Sequence, residues 1–273
     1  MTRARLLGGL LASALFAIVT SVYHLEFSLW LVKSRPFGLK PVEYLPYVWG
    51  VLGVAVIAFV AWSAWRSANR LPTLAYWGAW LALAVIADRW LLFSAAEYIH
   101  YPQYAVLAWL LAWTLDPKRD GHAFGTVLLL AVVIGIADEV HQYFLETISY
   151  SDYLDFNDFL LNLLGAAAGL LLYYGFRPLS AAGGRAVSLG FVFLGLAMLA
   201  ALGVLEVLGG QEHIEREAGS YGSWKGSVLR DRYYVLDPWT GTLALALIGT
   251  FFAGYPRPWV RRAPGQVPAE EPR

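Results

Sequence analysis

The stretch GTVLLLAVVIGIADEVHQYFLE, residues 125–146, decides the fold. From Val127 to Ile134 it holds no polar residue, and then Asp138, Glu139, His141 and Gln142 fall within five positions. A run this apolar reads as a membrane span. A carboxylate inside a span is costly unless it faces protein or water and finds a partner there. The helix is therefore expected to pack among other helices with its polar end turned inward.

The rest of the chain agrees. Its 273 residues are 58% hydrophobic and only 15% charged, with a mean hydropathy of +0.52. Soluble domains are roughly 45–50% apolar and about 25% charged. The formal net charge is zero, so no basic surface suits nucleic acid. There are no cysteines, which removes disulfides, thiolate metal sites and cysteine nucleophiles together.

A span needs about 20 apolar residues. Eight segments qualify, near 5–23, 45–65, 72–94, 99–115, 121–146, 156–176, 187–208 and 239–255. The basic start MTRARLL precedes an apolar run without a small-x-small site at its end, so the first segment is expected to remain as an uncleaved span. The expected fold class is all-α, a multi-pass transmembrane helical bundle. Its organisation follows from the loops: residues 1–71 hold two N-terminal spans, 72–178 a four-helix centre, 179–256 two C-terminal spans, and 257–273 a Pro-rich tail. The polar connection 209–238 is either a cap on the bundle or a solvated loop.

Orientation is read from short-loop cations. With eight spans both termini share a side, which carries Arg3, Arg5, Arg66, Arg70, Lys118, Arg119, Arg177, Arg185, Arg257, Arg261, Arg262 and Arg273. The other side has Lys33, Arg35, Lys40, Arg216, Lys225, Arg230 and Arg232. The bias favours a cell-membrane protein with both termini cytoplasmic.

Polar groups then converge at one depth. Glu139 lies about six residues, roughly 9 Å, from the outer end of its span. Arg89 lies at a similar level in the third span, and its charge is expected to pair with Glu139. The fourth span presents Glu97, His100 and Tyr104 on one face, and the sixth presents Asp158, Asn162, Gly165 and Gly169. Glu139 and Gln142 share a face, with Asp138 and His141 beside it. Gly165 and Gly169 form a GxxxG pattern that lets another helix come close.

In chain order these residues read Hx₃Y (His100, Tyr104), ExxQ (Glu139, Gln142) and DxxxNxxG (Asp158, Asn162, Gly165). The chain thereby resembles the VanZ-like membrane proteins over roughly residues 75–176. The resemblance implies an integral envelope protein with a VanZ-like four-helix centre and a link to teicoplanin-type glycopeptide resistance. Two features depart from the family pattern. Glu97 stands where members often carry a lysine, and the loop ETISYSDYLDFN has no basic residue, with Arg89 the expected substitute cation.

The expected site is an outer-facing polar pocket of His100, Tyr104, Glu139, Gln142, Asp158, Asn162 and Arg89. It would recognise membrane lipids or a lipid-linked envelope precursor. An intramembrane enzyme is the second reading, with Glu139 or Asp158 as base and His100 as its acid partner. A network that only holds helices together is the third, and a proton-coupled transporter the last, because few polar residues mark the inner side. No cofactor is expected. His100, Glu139, His141 and Asp158 are zinc-type ligands, but there is no HExxH and no close histidine pair, so no metal is expected either.

Overall fold

The computed structural model describes residues 3–36, 40–67, 70–146, 152–176, 184–227, 229 and 231–255. The tail expected at 257–273 and loop residues 147–151 lie outside these. All eight expected segments are helical: α1 (Arg3–Lys33), α2 (Pro41–Trp65), α3 (Arg70–Trp90), α4 (His100–Leu115), α5 (Phe124–His141), α6 (Phe156–Tyr174), α7 (Gly184–Val207) and α8 (Pro238–Ala253). Six of them are long and apolar enough to cross a membrane. The other two, α4 and α8, have 16 residues each and reach about 24 Å. The first helix does not stop at Tyr23, where the apolar run ends, but continues to Lys33.

At the centre stands α6, buried along nearly its whole length. Asp155 caps its start, accepting the Asn157 N–H at 2.8 Å. Its closest neighbour is α4, and glycine is the reason. A Cβ on Gly165 would stand 2.7 Å from the His100 carbonyl oxygen, and one on Gly169 would stand 2.6 Å from Ala105 Cα. Without side chains there, the α4 backbone lies directly on α6. On α6's other sides lie α3, α5 and α8, and α7 packs along α8.

The connection 209–238 folds over one end of the bundle as a strap. It contains a two-stranded antiparallel hairpin, β1 (Ser223–Gly226) with β2 (Arg232–Val235). Asn157, buried in the first turn of α6, holds it down. Its Nδ2 donates to the carbonyls of Leu91 (3.0 Å) and Tyr234 (2.8 Å), and its Oδ1 accepts from Leu236 N–H (3.1 Å). Around it the Leu154 N–H donates to the Ile214 carbonyl (2.8 Å), and Ser227 Oγ donates to the Phe93 carbonyl (2.6 Å). The Tyr153 and Tyr233 hydroxyls meet at 2.7 Å.

Asn157→Leu orphans three backbone groups at once. Unmet partners cost about 1–3 kcal/mol each, so the strap should detach before the bundle melts. Trypsin digestion should then cut at Arg216, Lys225 or Arg232 many times faster than in the wild type. Unchanged digestion would show that the strap is held by its apolar contacts alone.

At the opposite end the α4–α5 turn closes on a buried carboxylate. Asp116 accepts from Gly121 N–H (2.7 Å), Asp120 N–H (3.2 Å) and the Tyr174 hydroxyl (2.9 Å). Arg119 takes a positive φ of 56° and lies over the Tyr173 ring at 4.4 Å. Hydrogen bonds from the His122 backbone and ring hold the Asp120 carboxyl below its ordinary range. Sequence alone marked this end as poor in polar groups. The structure shows a polar clasp there, with Asp116 satisfied by the loop it closes.

Candidate functional site

The polar residues of α4, α5 and α6 meet under the strap. The first residue of α4 is His100, and Asp158 is in the first turn of α6. Asp138 and Glu139 are in the last turn of α5, which runs on into a π-helical turn, Gln142–Glu146. Three helix ends at one level therefore supply every group.

Asn162 is the junction. Its Nδ2 donates to Glu139 Oε1 at 3.2 Å. Its Oδ1, thereby the acceptor, lies 2.8 Å from His100 Nδ1. The proton of that bond belongs to the imidazole, so Nδ1 is the donor. Nε2 faces Asp158 Oδ1 at 3.5 Å. That oxygen is sealed from solvent and has no hydrogen-bond partner.

Asp138 forms a second half, back to back with the first. It accepts from the Tyr104 hydroxyl (2.8 Å), Gln142 Nε2 (3.0 Å) and Gln103 Nε2 (3.4 Å). It borders a cleft of about 270 Å³ between α1, α4 and α5, which Thr20, Ser21 and His141 also line. Gly135 allows the two halves to touch, because a Cβ there would stand 3.0 Å from Asn162 and 3.1 Å from the Tyr104 ring.

Among the described residues, no lysine or arginine forms an ion pair with Asp138, Glu139 or Asp158. Three carboxyl groups thus share a buried chamber with neutral donors and His100. Such a chamber favours cationic or hydroxyl-rich groups over anions.

Residues 45–177 match the VanZ/LLP1 family. Over that stretch the chain is VanZ-like. The match begins within α2, so the second helix belongs with the matched region, which the residue motifs had traced only from about residue 75. Neither a curated protein nor a solved structure shows significant similarity to the chain. The matched part of this VanZ-like chain contributes α4, α5 and α6, while the α1 wall of the cleft and the strap come from outside it.

One expectation needs correction. Arg89 does not pair with Glu139. Its side chain is 65% exposed and its nearest acid is Asp88, at 4.0 Å. Two residues along a helix rotate the direction by about 200°, so Arg89 points away from the bundle side that buries Ala87. Gln142 bonds through its amide to Asp138, one turn back, at 3.0 Å.

Arg216 of the strap donates to the Tyr143 carbonyl at 2.8 Å and lies over its ring at 3.9 Å. Glu97 caps the α3–α4 turn, accepting the Phe93 N–H at 2.8 Å. Burial, and after it the nearby Asp158 and Asp155, push its carboxyl well above the ordinary range.

Sequence reasoning placed Asp138 beside the site and passed over Gln103, Asn157 and Gly135. The i, i+4 spacing of Asp138 and Gln142 was the available signal for the first. Asn157 gave none, since its partners are backbone groups distant in sequence.

Proposed function

We propose that the chain is an envelope membrane protein whose chamber recognises the polar headgroup of a lipid or lipid-linked glycan. With both termini cytoplasmic, as the loop cations favour, the strap end lies at the outer leaflet. The observation that carries this reading is the second half of the chamber. Asp138 is held by three neutral donors at the edge of a cleft whose lining is mostly apolar. A headgroup rich in hydroxyls or amines fits the acidic edge, and acyl chains fit the wall. Occupancy of such a lipid would in turn affect teicoplanin-type glycopeptides, which act on envelope precursors.

The test is lipid retention. The full chain, purified in mild detergent, should carry a defined lipid in native mass spectrometry. Asp138→Asn should lower its occupancy about tenfold (about 1.4 kcal/mol) at unchanged helix content. Equal retention in the variant would remove Asp138 from recognition. Glycopeptide susceptibility of cells with and without the gene tests the wider link.

A second reading is favoured by one contact. The His100 and Asp158 side chains face each other without a hydrogen bond between them, the arrangement of an acid–base pair waiting for substrate. Turnover of a lipid-linked substrate, lost in Glu139→Gln, would support it.

A further inference from the structure

We infer that the groove between α3, α6 and α8 seats an acyl chain of an anionic phospholipid, whose phosphate is met by Arg232 of the strap hairpin. The site is separate from the acidic chamber and does not depend on what the chamber binds.

The groove has a volume of about 440 Å³ and is graded from a polar mouth to an apolar floor. The lining residues that carry a side-chain polar atom are Trp90, Trp224 and Tyr234. Trp90 ends α3, and the other two belong to the hairpin, so all three stand at the strap end. Every other lining residue is leucine, isoleucine or alanine. The deepest on α8, Ile248, is ten residues past the helix start at Pro238, about 15 Å along the axis. That is half of a hydrocarbon core about 30 Å thick, so the groove has the depth of one leaflet.

Asn157 builds the mouth. Its amide group bonds to the carbonyls of Leu91 and Tyr234 and to the N–H of Leu236, and all three residues line the groove. The hairpin roof is thereby fastened to α6 and to the end of α3. A lipid entering beneath it does not have to order the strap.

Charge selects the occupant. Arg232 and Tyr234 are two apart on β2 and share a face of the hairpin. Trp224 pairs across from Tyr234, with ring centroids 5.3 Å apart, and the Arg232 guanidinium lies 4.6 Å over the Trp224 ring. These three side chains form a stack that leads from exposed Arg232 into the groove. Among the described residues no carboxylate forms an ion pair with Arg232. Asp237, beside the lining residue Leu236, is engaged as the cap of α8, accepting the Thr240 N–H at 2.9 Å. A guanidinium stacked by its face on an aromatic ring keeps its N–H edge for an acceptor, and phosphate matches that edge with two bonds. A zwitterionic headgroup brings its own ammonium to compete for the phosphate, so a lipid of net negative charge is favoured.

The test uses the full chain, delipidated in mild detergent and titrated with phosphatidylglycerol or with phosphatidylcholine of the same acyl chains. Binding is read by native mass spectrometry. The wild type should hold one phosphatidylglycerol at least about tenfold more tightly than phosphatidylcholine. Arg232→Gln, at an exposed position outside the core, should remove that preference. Ala244→Phe, which fills the groove, should weaken both lipids at least about tenfold. Arg89→Gln removes another exposed cation at the same end of α3, one that does not line the groove, and should change neither.

Equal binding of the two lipids by the wild type overturns the proposal, as does a preference that survives Arg232→Gln. Equal losses in Arg232→Gln and Arg89→Gln also overturn it, because they indicate attraction to the surface as a whole. A dimer without lipid, dissociated by Ala244→Phe, would put a second copy in the groove and overturn it too. Should Ala244→Phe fail to fold, Arg232→Gln against Arg89→Gln decides. Phosphatidylglycerol lost in Asp138→Asn and kept in Arg232→Gln would place the lipid in the chamber, sinking this inference and leaving the recognition reading standing.

Discussion

Gly169→Leu is expected to leave almost no folded protein in the membrane. The α4 backbone occupies the space a side chain would need, with Ala105 Cα 2.6 Å from the position of a Cβ. That neighbour is main chain, so no rotamer change relieves the contact and the two helices must separate. Overpacking of ordinary cores costs about 1–3 kcal/mol. Here a whole isobutyl group enters the interface that seats His100 and Tyr104 opposite Asn162, so the loss should exceed about 3 kcal/mol. Gly165→Ala, which meets the His100 carbonyl oxygen at 2.7 Å, should cost less because a single methyl group is added. The check is the amount and monodispersity of each variant after detergent extraction. A Gly169→Leu protein that elutes and melts like the wild type would mean that α4 and α6 are not in contact as described.

Asn162→Leu is expected to do the reverse, sparing the fold and emptying the site. The substitution removes the acceptor of the His100 Nδ1 proton and a donor to Glu139. Side-chain hydrogen bonds between membrane helices average about 0.6 kcal/mol, and orphaned buried partners cost about 1–3 kcal/mol. A helix buried on every face by leucine, alanine and glycine can absorb a loss of that size. With its proton acceptor gone, the imidazole is free to turn, and the Glu139 carboxylate loses its amide donor. Retained lipid should therefore fall at least about tenfold while the extracted yield stays near that of the wild type. A collapse in yield with no separate loss of binding would instead make the polar network a device for holding helices together. Glu139→Gln separates the remaining roles, since its carbonyl can still accept from Asn162 but the group cannot act as a base.

The site is partly legible in the primary structure. His100, Tyr104, Glu139, Asp158 and Asn162 lie at helical spacings on their own segments, and apolar stretches of span length imply a common depth. Their meeting in one chamber is visible only in three dimensions. The errors have the same origin. Depth matching suggested Arg89 for Glu139, but depth says nothing about azimuth, and azimuth turned Arg89 outward to Asp88. Asn157 looked like one more polar residue at a helix start, whereas it fastens a strap through backbone groups distant in sequence.

The amino-acid order by itself determined that this is a helical membrane protein, because run length and hydropathy are local properties and the bilayer demands them segment by segment. It also determined which helix carries each polar group, since side-chain direction repeats with the helix period. Which groups share a proton, which oxygen is left without one, and what covers the chamber were decided only by tertiary packing. Those outcomes depend on the rotation of each helix against its neighbours, which is set by close contacts such as Gly169 on Ala105 and by no residue read alone.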